Sequence, residues 1–207
     1  MFPGVYASSG LFVCFEGGEG GGKSTQAQLL ADTLTAREVV LTREPGGTPT
    51  GQRIREILLD PDTGSLDHRA EALLYAADKS EHLRAVVLPA LERGAVVISD
   101  RYVDSTLAYQ GAGRDLDPKD LEWVVRWATN DLRPHLTVLL DVAPNEGLGR
   151  FEERDRIEAE GGAFHMRVRD GFLALAAKDP EHYLVLDGRR DRAELADEIR
   201  ARVQDLL

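Results

Sequence analysis

Leu11-Phe-Val-Cys-Phe-Glu-Gly17-Gly-Glu-Gly-Gly-Gly22-Lys23-Ser24-Thr25 is the stretch whose reading decides the fold. Leu11 to Phe15 is a short apolar run of the kind that forms a buried strand. From Lys23 to about Ala36, residues Ala27, Leu30 and Leu34 share one face of a helix. Between them, Gly17 to Ser24 fits G-x-x-x-x-G-K-[ST], in the strand–loop–helix context that the motif requires. Glycines let the backbone curl until successive N–H groups point at phosphate oxygens. The helix N-terminus adds the positive end of its dipole. Gly17, Gly18, Glu19, Gly20, Gly21, Gly22, Lys23, Ser24 and Thr25 are therefore the expected ATP-binding segment. Lys23 would neutralise the β and γ phosphates, and the Ser24 hydroxyl would ligate Mg²⁺.

Outward from this segment, the same alternation continues. Apolar runs recur at Val39–Thr42, Ala95–Ser99, Leu136–Leu140 and Tyr183–Leu186, rich in Val, Ile and Leu without strict alternation. That pattern suits strands buried on both faces of a parallel sheet. Amphipathic stretches separate the runs; Leu195, Ile199, Val203 and Leu206 repeat at helical spacing. The expectation is a three-layer α/β fold: a five-stranded parallel sheet flanked by helices, with right-handed crossovers. Arg69 to Arg93 reads as one long helix that Pro89 kinks or tightens before Gly94. Gly111 to Pro118 reads as a loop. The region from about Gly147 to Phe164 is the least regular, with clustered Glu, Asp and Arg and then Gly161-Gly162.

The chain has 207 residues, enough for one domain with a real core, and is 43% hydrophobic and 29% charged. Its net charge of −11 argues against a nucleic-acid polymer as partner, while leaving room for a locally positive site for a small anion. Cys14 is the single cysteine and reads as a small buried strand residue, which fits a reducing compartment. The five histidines lack metal-ligand spacing. Leu11–Phe15 is too short for a signal peptide or a membrane span, so a cytoplasmic protein without membrane contact is expected.

A second element is needed to organise Mg²⁺, a carboxylate at the end of another buried strand. Asp100 and Asp141 both end such runs. Asp100 is favoured because Arg101 follows it and can meet a phosphate beside it. Phosphate-binding loops occur in many activities, so the loop alone fixes nucleotide binding only. No guanine-reading N-K-x-D element or D-x-x-G switch is found, and motor or transporter ATPases are usually larger. A kinase for a small acceptor remains. It needs arginines outside the loop to hold a second phosphate, and the candidates are Arg43, Arg53, Arg55, Arg101, Arg150, Arg154 and Arg156.

Several further stretches, taken in order, carry a specific resemblance. They are Phe15–Gln26, Thr42-Arg-Glu-Pro-Gly-Gly-Thr48, Leu73-Leu-Tyr-Ala-Ala-Asp78, Asp100–Gly111, Asp155-Arg-Ile-Glu158 and Arg167-Val-Arg-Asp-Gly171. Over nearly its whole length the chain resembles bacterial thymidylate kinases. The resemblance implies one domain over residues 1–207 with a small lid near 145–165, usually paired as a homodimer. It implies the reaction dTMP + ATP → dTDP + ADP with Mg²⁺. Under it, Arg101 clamps the acceptor phosphate, Asp100 and Ser24 serve the metal, and Arg55 reaches the same phosphate. Arg43 and Pro45 wall the acceptor pocket, Tyr75 stacks on thymine, and Ser105, Thr106 and Gln110 meet the base. Tyr109 sits against the sugar, and Glu19 accepts from its 3′-hydroxyl. Phosphoryl transfer asks mainly for positioning and charge neutralisation. The loop has no arginine of its own, so the catalytic arginine is expected from Arg150, Arg154 and Arg156 of the lid.

Four departures stand out. Lys79 takes a position usually held by Arg, which is expected to meet a base oxygen; a point charge replaces a planar fork there. A monophosphate kinase of other base preference is the alternative this substitution raises. Tyr75 stands for the usual Phe, and its ring face serves equally for stacking. Gln52 stands where Glu is frequent, and Ser24 where Thr is.

Overall fold

The computed structural model describes residues 4–149 and 154–207. All five apolar runs form strands: β1 (Leu11–Glu16), β2 (Val39–Arg43), β3 (Val96–Asp100), β4 (Leu136–Asp141) and β5 (Tyr183–Asp187). They build one parallel sheet in the order β2-β3-β1-β4-β5. The central strands β1, β3 and β4 are buried along nearly their whole length, as continuous Val/Ile/Leu runs require. In-register pairing of Phe15 with Asp100 puts the Asp at the mouth of the β1 turn.

Helices fill both faces. They are α1 (Lys23–Thr33), α2 (Pro49–Leu59), α3 (His68–His82), α4 (Leu88–Glu92), α5 (Val103–Thr106), α6 (Pro118–Thr129), α7 (Pro144–Leu148), α8 (Gly162–Lys178) and α9 (Arg192–Gln204). Alternate residues of β1 serve opposite layers. Val13 and Phe15 pack with Ala27 and Leu30 of α1 and with Leu195, Ile199 and Val203 of α9. Phe12 and Cys14 pack with Leu83, Val87, Leu91 and Val125 on the other face. Asp and Thr side chains start several helices where expected: Thr48 accepts from Gly51 N, Asp67 from Arg69 N, Asp117 from Lys119 N and Asp191 from Ala193 N. No helix among the described residues is long and apolar enough to cross a membrane.

Two expectations need correction. The long helix is real, from His68 to Glu92, but a π turn over Leu83–Val87 separates α3 from α4. Leu88 N reaches back five residues to Leu83 O. Pro89 lacks an N–H and crowds the carbonyl four residues before it, and a widened turn accommodates both. The loop expected at Gly111 begins later, because a second π segment runs from Leu107 to Gly113. The glycine there serves packing: a Cβ on Gly113 would lie 2.6 Å from the Phe164 ring on α8.

Candidate active site

The loop between β1 and α1 is shaped by left-handed glycines. Gly17, Gly20 and Gly22 have φ of 134°, 69° and 88°. A Cβ on Gly17 or on Gly20 would stand 2.3 Å from the carbonyl oxygen of Leu140 or of Gly147, so these positions admit no side chain. Lys23 is buried, and its ammonium donates to Gly18 O at 2.6 Å. Burial and the nearby Arg101 charge lower its pKa against the pull of Glu19 and Asp100. Ser24 Oγ donates to Asp100 Oδ2, which joins the start of α1 to the end of β3. Thr25, one residue on, is exposed. Asp141, the other strand-end carboxylate, is taken by a two-pronged pair with Arg169 at 2.6 and 2.8 Å. The two Asp candidates therefore differ by partner: one faces the loop hydroxyl, the other is closed off by an arginine.

Arg101 is the hub of the site. Its backbone is left-handed, with φ 72°, and its N–H donates to Phe15 O at 2.9 Å. One guanidinium nitrogen donates to Gly17 O at 3.1 Å and Ser105 Oγ at 3.0 Å. The other donates to Glu19 Oε1 at 2.7 Å and Tyr109 Oη at 3.2 Å. Tyr109 also donates to Glu19 at 2.7 Å. Burial would raise the Glu19 carboxyl, but the Arg101 and Lys23 charges with these hydrogen bonds hold it down to about 2. Glu19 thus stays ionised at any working pH.

The turn that aims Arg101 rests on a residue the sequence reading missed. Glu16, fully buried, accepts from Tyr102 N at 2.8 Å, Ser105 N at 3.1 Å and Ser105 Oγ. It caps α5 from another strand. Burial and the nearby Asp104 push its pKa up to about 7, against Arg101 and the donors from Ser105 and Tyr102. A carboxylate closing an apolar strand was the available signal.

Beside the loop lies a cleft lined by Glu19, Glu44, Pro45, Arg55, Tyr75, Lys79, Arg101, Ser105, Thr106, Tyr109, Gln110, Asp155, Ile157 and Glu158. Arg55 donates to Pro45 O at 3.1 Å. Tyr75 shows its ring here, with burial and Glu71 pushing its phenol pKa well up. Thr106 Oγ1 is buried with no partner among the described residues. Lys79 lies 5.9 Å from the Tyr75 ring centre, but its ammonium is tied to Glu44 at 2.8 Å. Glu44 also meets His82 Nδ1 at 2.7 Å, and His82 Nε2 meets Thr42 Oγ1 at 2.6 Å. The lysine thus neutralises a buried carboxylate, a partner that no spacing in the sequence announces.

Several expected arginines fall elsewhere. Arg43 is exposed and lines an open recess with Ser24, Asp100 and Gly47 instead of the cleft, so Glu44 and Pro45 supply that wall. Side chains alternate along β2, and Arg43 points to the opposite side from Glu44. Arg53 is exposed on α2. Arg154 is exposed. Arg156 was expected as a free lid cation, yet it is anchored: it pairs with buried Glu71 and donates through Nε to Leu58 O at 2.8 Å. Arg150 lies outside the described residues.

Comparison with known proteins agrees with this geometry. A family model described as thymidylate kinase matches residues 15–199. A thymidylate kinase of Cutibacterium acnes is 56% identical over 200 residues, covering 96% of this chain and 98% of the relative. One from Deinococcus radiodurans is 49% identical over 203 residues, covering 96% and 98%. Among solved structures, a thymidylate kinase from Ehrlichia chaffeensis superimposes with a TM-score of 0.78 at 34% identity, covering 95% of this chain and 99% of that one. With the glycine loop, the Asp100-Arg101 turn and the adjoining cleft in place on a five-stranded parallel sheet, the chain belongs to the thymidylate kinase family.

Proposed function

We propose that this protein phosphorylates dTMP to dTDP with ATP and Mg²⁺, as one domain over residues 1–207. A phosphate oxygen of dTMP attacks the γ-phosphorus of ATP; a new P–O bond forms as the bond to the β-bridging oxygen breaks, and ADP leaves. The acceptor is already an anion, so the protein's task is alignment and charge neutralisation. One observation carries the reading: a single cleft has cationic Arg101 and Arg55 near the glycine loop, and Tyr75, Gln110 and the unpartnered Thr106 hydroxyl along its wall. That is the pattern an anionic nucleotide with a polar base edge requires.

In this reading Gly17 through Thr25 hold the ATP phosphates, with Lys23 on the β and γ groups. Ser24 and Asp100 would hold Mg²⁺; their direct hydrogen bond brings two hard oxygen donors together at the loop. Bound there, the ion supplies charge neutralisation on the triphosphate. Arg101 and Arg55 grip the acceptor phosphate, Tyr75 faces the base, and Thr106 and Gln110 meet its edge. Ser105 fixes Arg101, while Glu19 and Tyr109 take the sugar. The arginine that neutralises the transferred group is drawn from Arg150 and Arg154 of a lid over 145–165, since Arg156 has its partners in Glu71 and Leu58.

We further propose a cytoplasmic homodimer. Support for pairing comes from Leu73 on α3 and Trp123 and Trp127 on α6, which are 57%, 66% and 73% exposed. Large apolar side chains left in water on neighbouring helices, two tryptophans among them, are characteristic of a subunit interface. Support for the compartment is the lone buried Cys14.

The test of the reaction is ADP release from ATP and Mg²⁺ with and without dTMP, with Lys23→Ala as blank. ADP formation that depends on dTMP and vanishes in the variant supports the reading. ADP formation independent of any acceptor refutes it.

A further inference from the structure

Glu71, on α3, is fully buried and has no place in the transfer chemistry. Four nitrogen donors converge on its carboxylate. Gln110 Nε2 donates at 3.0 Å, Arg114 donates through Nε at 3.1 Å and Nη2 at 3.2 Å, and Arg156 donates through Nη2. Burial would raise the Glu71 carboxyl, but the hydrogen bonds from Arg114, Gln110 and Arg156 lower it below its ordinary value. Glu71 is therefore an ionised carboxylate, and an ionised carboxylate only accepts.

This fixes the amide of Gln110. That side chain is itself 1% exposed and lines the cleft. Its NH₂ group must face Glu71, because the flipped amide would set a carbonyl oxygen against a carboxylate. The amide oxygen is left for the cleft, and no hydrogen bond from a described residue reaches it. We infer that Glu71 is a specificity-determining residue: by orienting Gln110 it presents the cleft with a fixed hydrogen-bond acceptor that selects pyrimidines bearing a hydrogen on N3. Thymine and uracil carry that hydrogen and donate it. Cytosine carries a lone pair at N3, which meets the Gln110 oxygen as acceptor against acceptor. Arg114 and Arg156 act through Glu71, keeping it charged. The inference rests on the reading of the cleft as the dTMP site and adds to it the origin of pyrimidine choice.

The test compares kcat/KM for dTMP, dUMP and dCMP in the wild type, Glu71→Gln and Gln110→Ala, with thermal unfolding to confirm the fold. Buried acceptors left opposite acceptors discriminate strongly, so the dTMP:dCMP preference should fall at least about tenfold in both variants. The dTMP:dUMP ratio should stay within about twofold, because both bases share the N3–H edge and a methyl group is sensed by packing elsewhere in the cleft. A merely structural role would lower all three substrates together. An unchanged dTMP:dCMP ratio in folded Glu71→Gln overturns the inference, even if Gln110→Ala shifts it. Should Glu71→Gln fail to fold, hydrogen exchange of the Gln110 side-chain amide decides. Slow exchange in both free and dTMP-bound wild type is expected, and fast exchange in the bound enzyme overturns the inference. A wild type inactive on dTMP refutes the reading of the cleft, and the inference falls with it. A wild type active on dTMP with unmoved ratios refutes the inference alone.

Discussion

Replacing Glu19 by Gln keeps the shape of the P-loop side chain and removes its charge. The folded protein holds this carboxyl down to about 2, from an ordinary 4.5, because the Arg101 and Lys23 charges and the Tyr109 and Arg101 hydrogen bonds outweigh the burial that opposes them. At about 1.36 kcal/mol per tenfold, that gap corresponds to roughly 3 kcal/mol of stability at neutral pH. The sign follows from the lowered value: the contribution is complete above the unfolded value and is lost as pH falls through the folded one. At pH 3 it should have dropped to roughly half that or less. Urea unfolding of the wild type and Glu19→Gln at pH 7 and pH 3 measures the difference. The expected loss is about 3 kcal/mol at pH 7, or about 6–12 °C in Tm, and roughly half that at pH 3. A loss under about 0.5 kcal/mol at pH 7, or one equal at both pH values, would refute the argument that Glu19 is an obligate anion between Arg101 and Lys23.

Three more outcomes are expected. Arg101→Lys keeps a charge but loses the fork that reaches Gly17, Ser105, Glu19 and Tyr109; kcat should fall about 100-fold or more, read by steady-state kinetics. Lys79→Met takes the cation from buried Glu44, leaving it only His82, and should cost about 3–5 kcal/mol in urea unfolding. Burial lowers the Lys79 pKa but Glu44 outweighs it, so that loss should hold steady between the carboxylate and lysine ranges, shrinking as pH rises through the raised Lys79 value and as it falls through the lowered Glu44 value. Trp123→Glu with Trp127→Glu should shift sedimentation from dimer to monomer; unchanged sedimentation would move the interface to another face.

The strands were legible because a central parallel strand buries both faces, so an unbroken apolar run is itself the signal. Even the edge strands β2 and β5, which expose Leu41 and Val185, kept enough Val and Leu to be read. The π segments were not legible. A five-residue hydrogen-bond step leaves no period distinct from that of an α-helix, and Gly111 and Gly113 imitate loop residues while Gly113 serves a tight approach to α8 and Gly111 one to Leu121 of α6. At the site, residues within one turn of a motif lie together as their spacing implies: Lys23 and Ser24 on the glycine loop, Arg101 beside Asp100. What failed depended on partners far along the chain. Arg156 looked free until Glu71, 85 residues away, was seen to hold it. Lys79 looked like a base contact until Glu44 was seen beneath it. Glu16 attracted no notice because its three donors all come from the turn after β3. Charge pairing in a folded interior is a property of topology, and local spacing does not encode it.

The central claim is that this cleft takes dTMP as acceptor. Its most direct test is kcat/KM for dTMP, dUMP, dCMP, AMP, CMP and GMP with ATP and Mg²⁺, each product identified by chromatography. The account expects dTMP to lead the purine monophosphates by at least about 100-fold, with dTDP and ADP formed in equal amounts. A purine or cytidine monophosphate that matched or exceeded dTMP would contradict it.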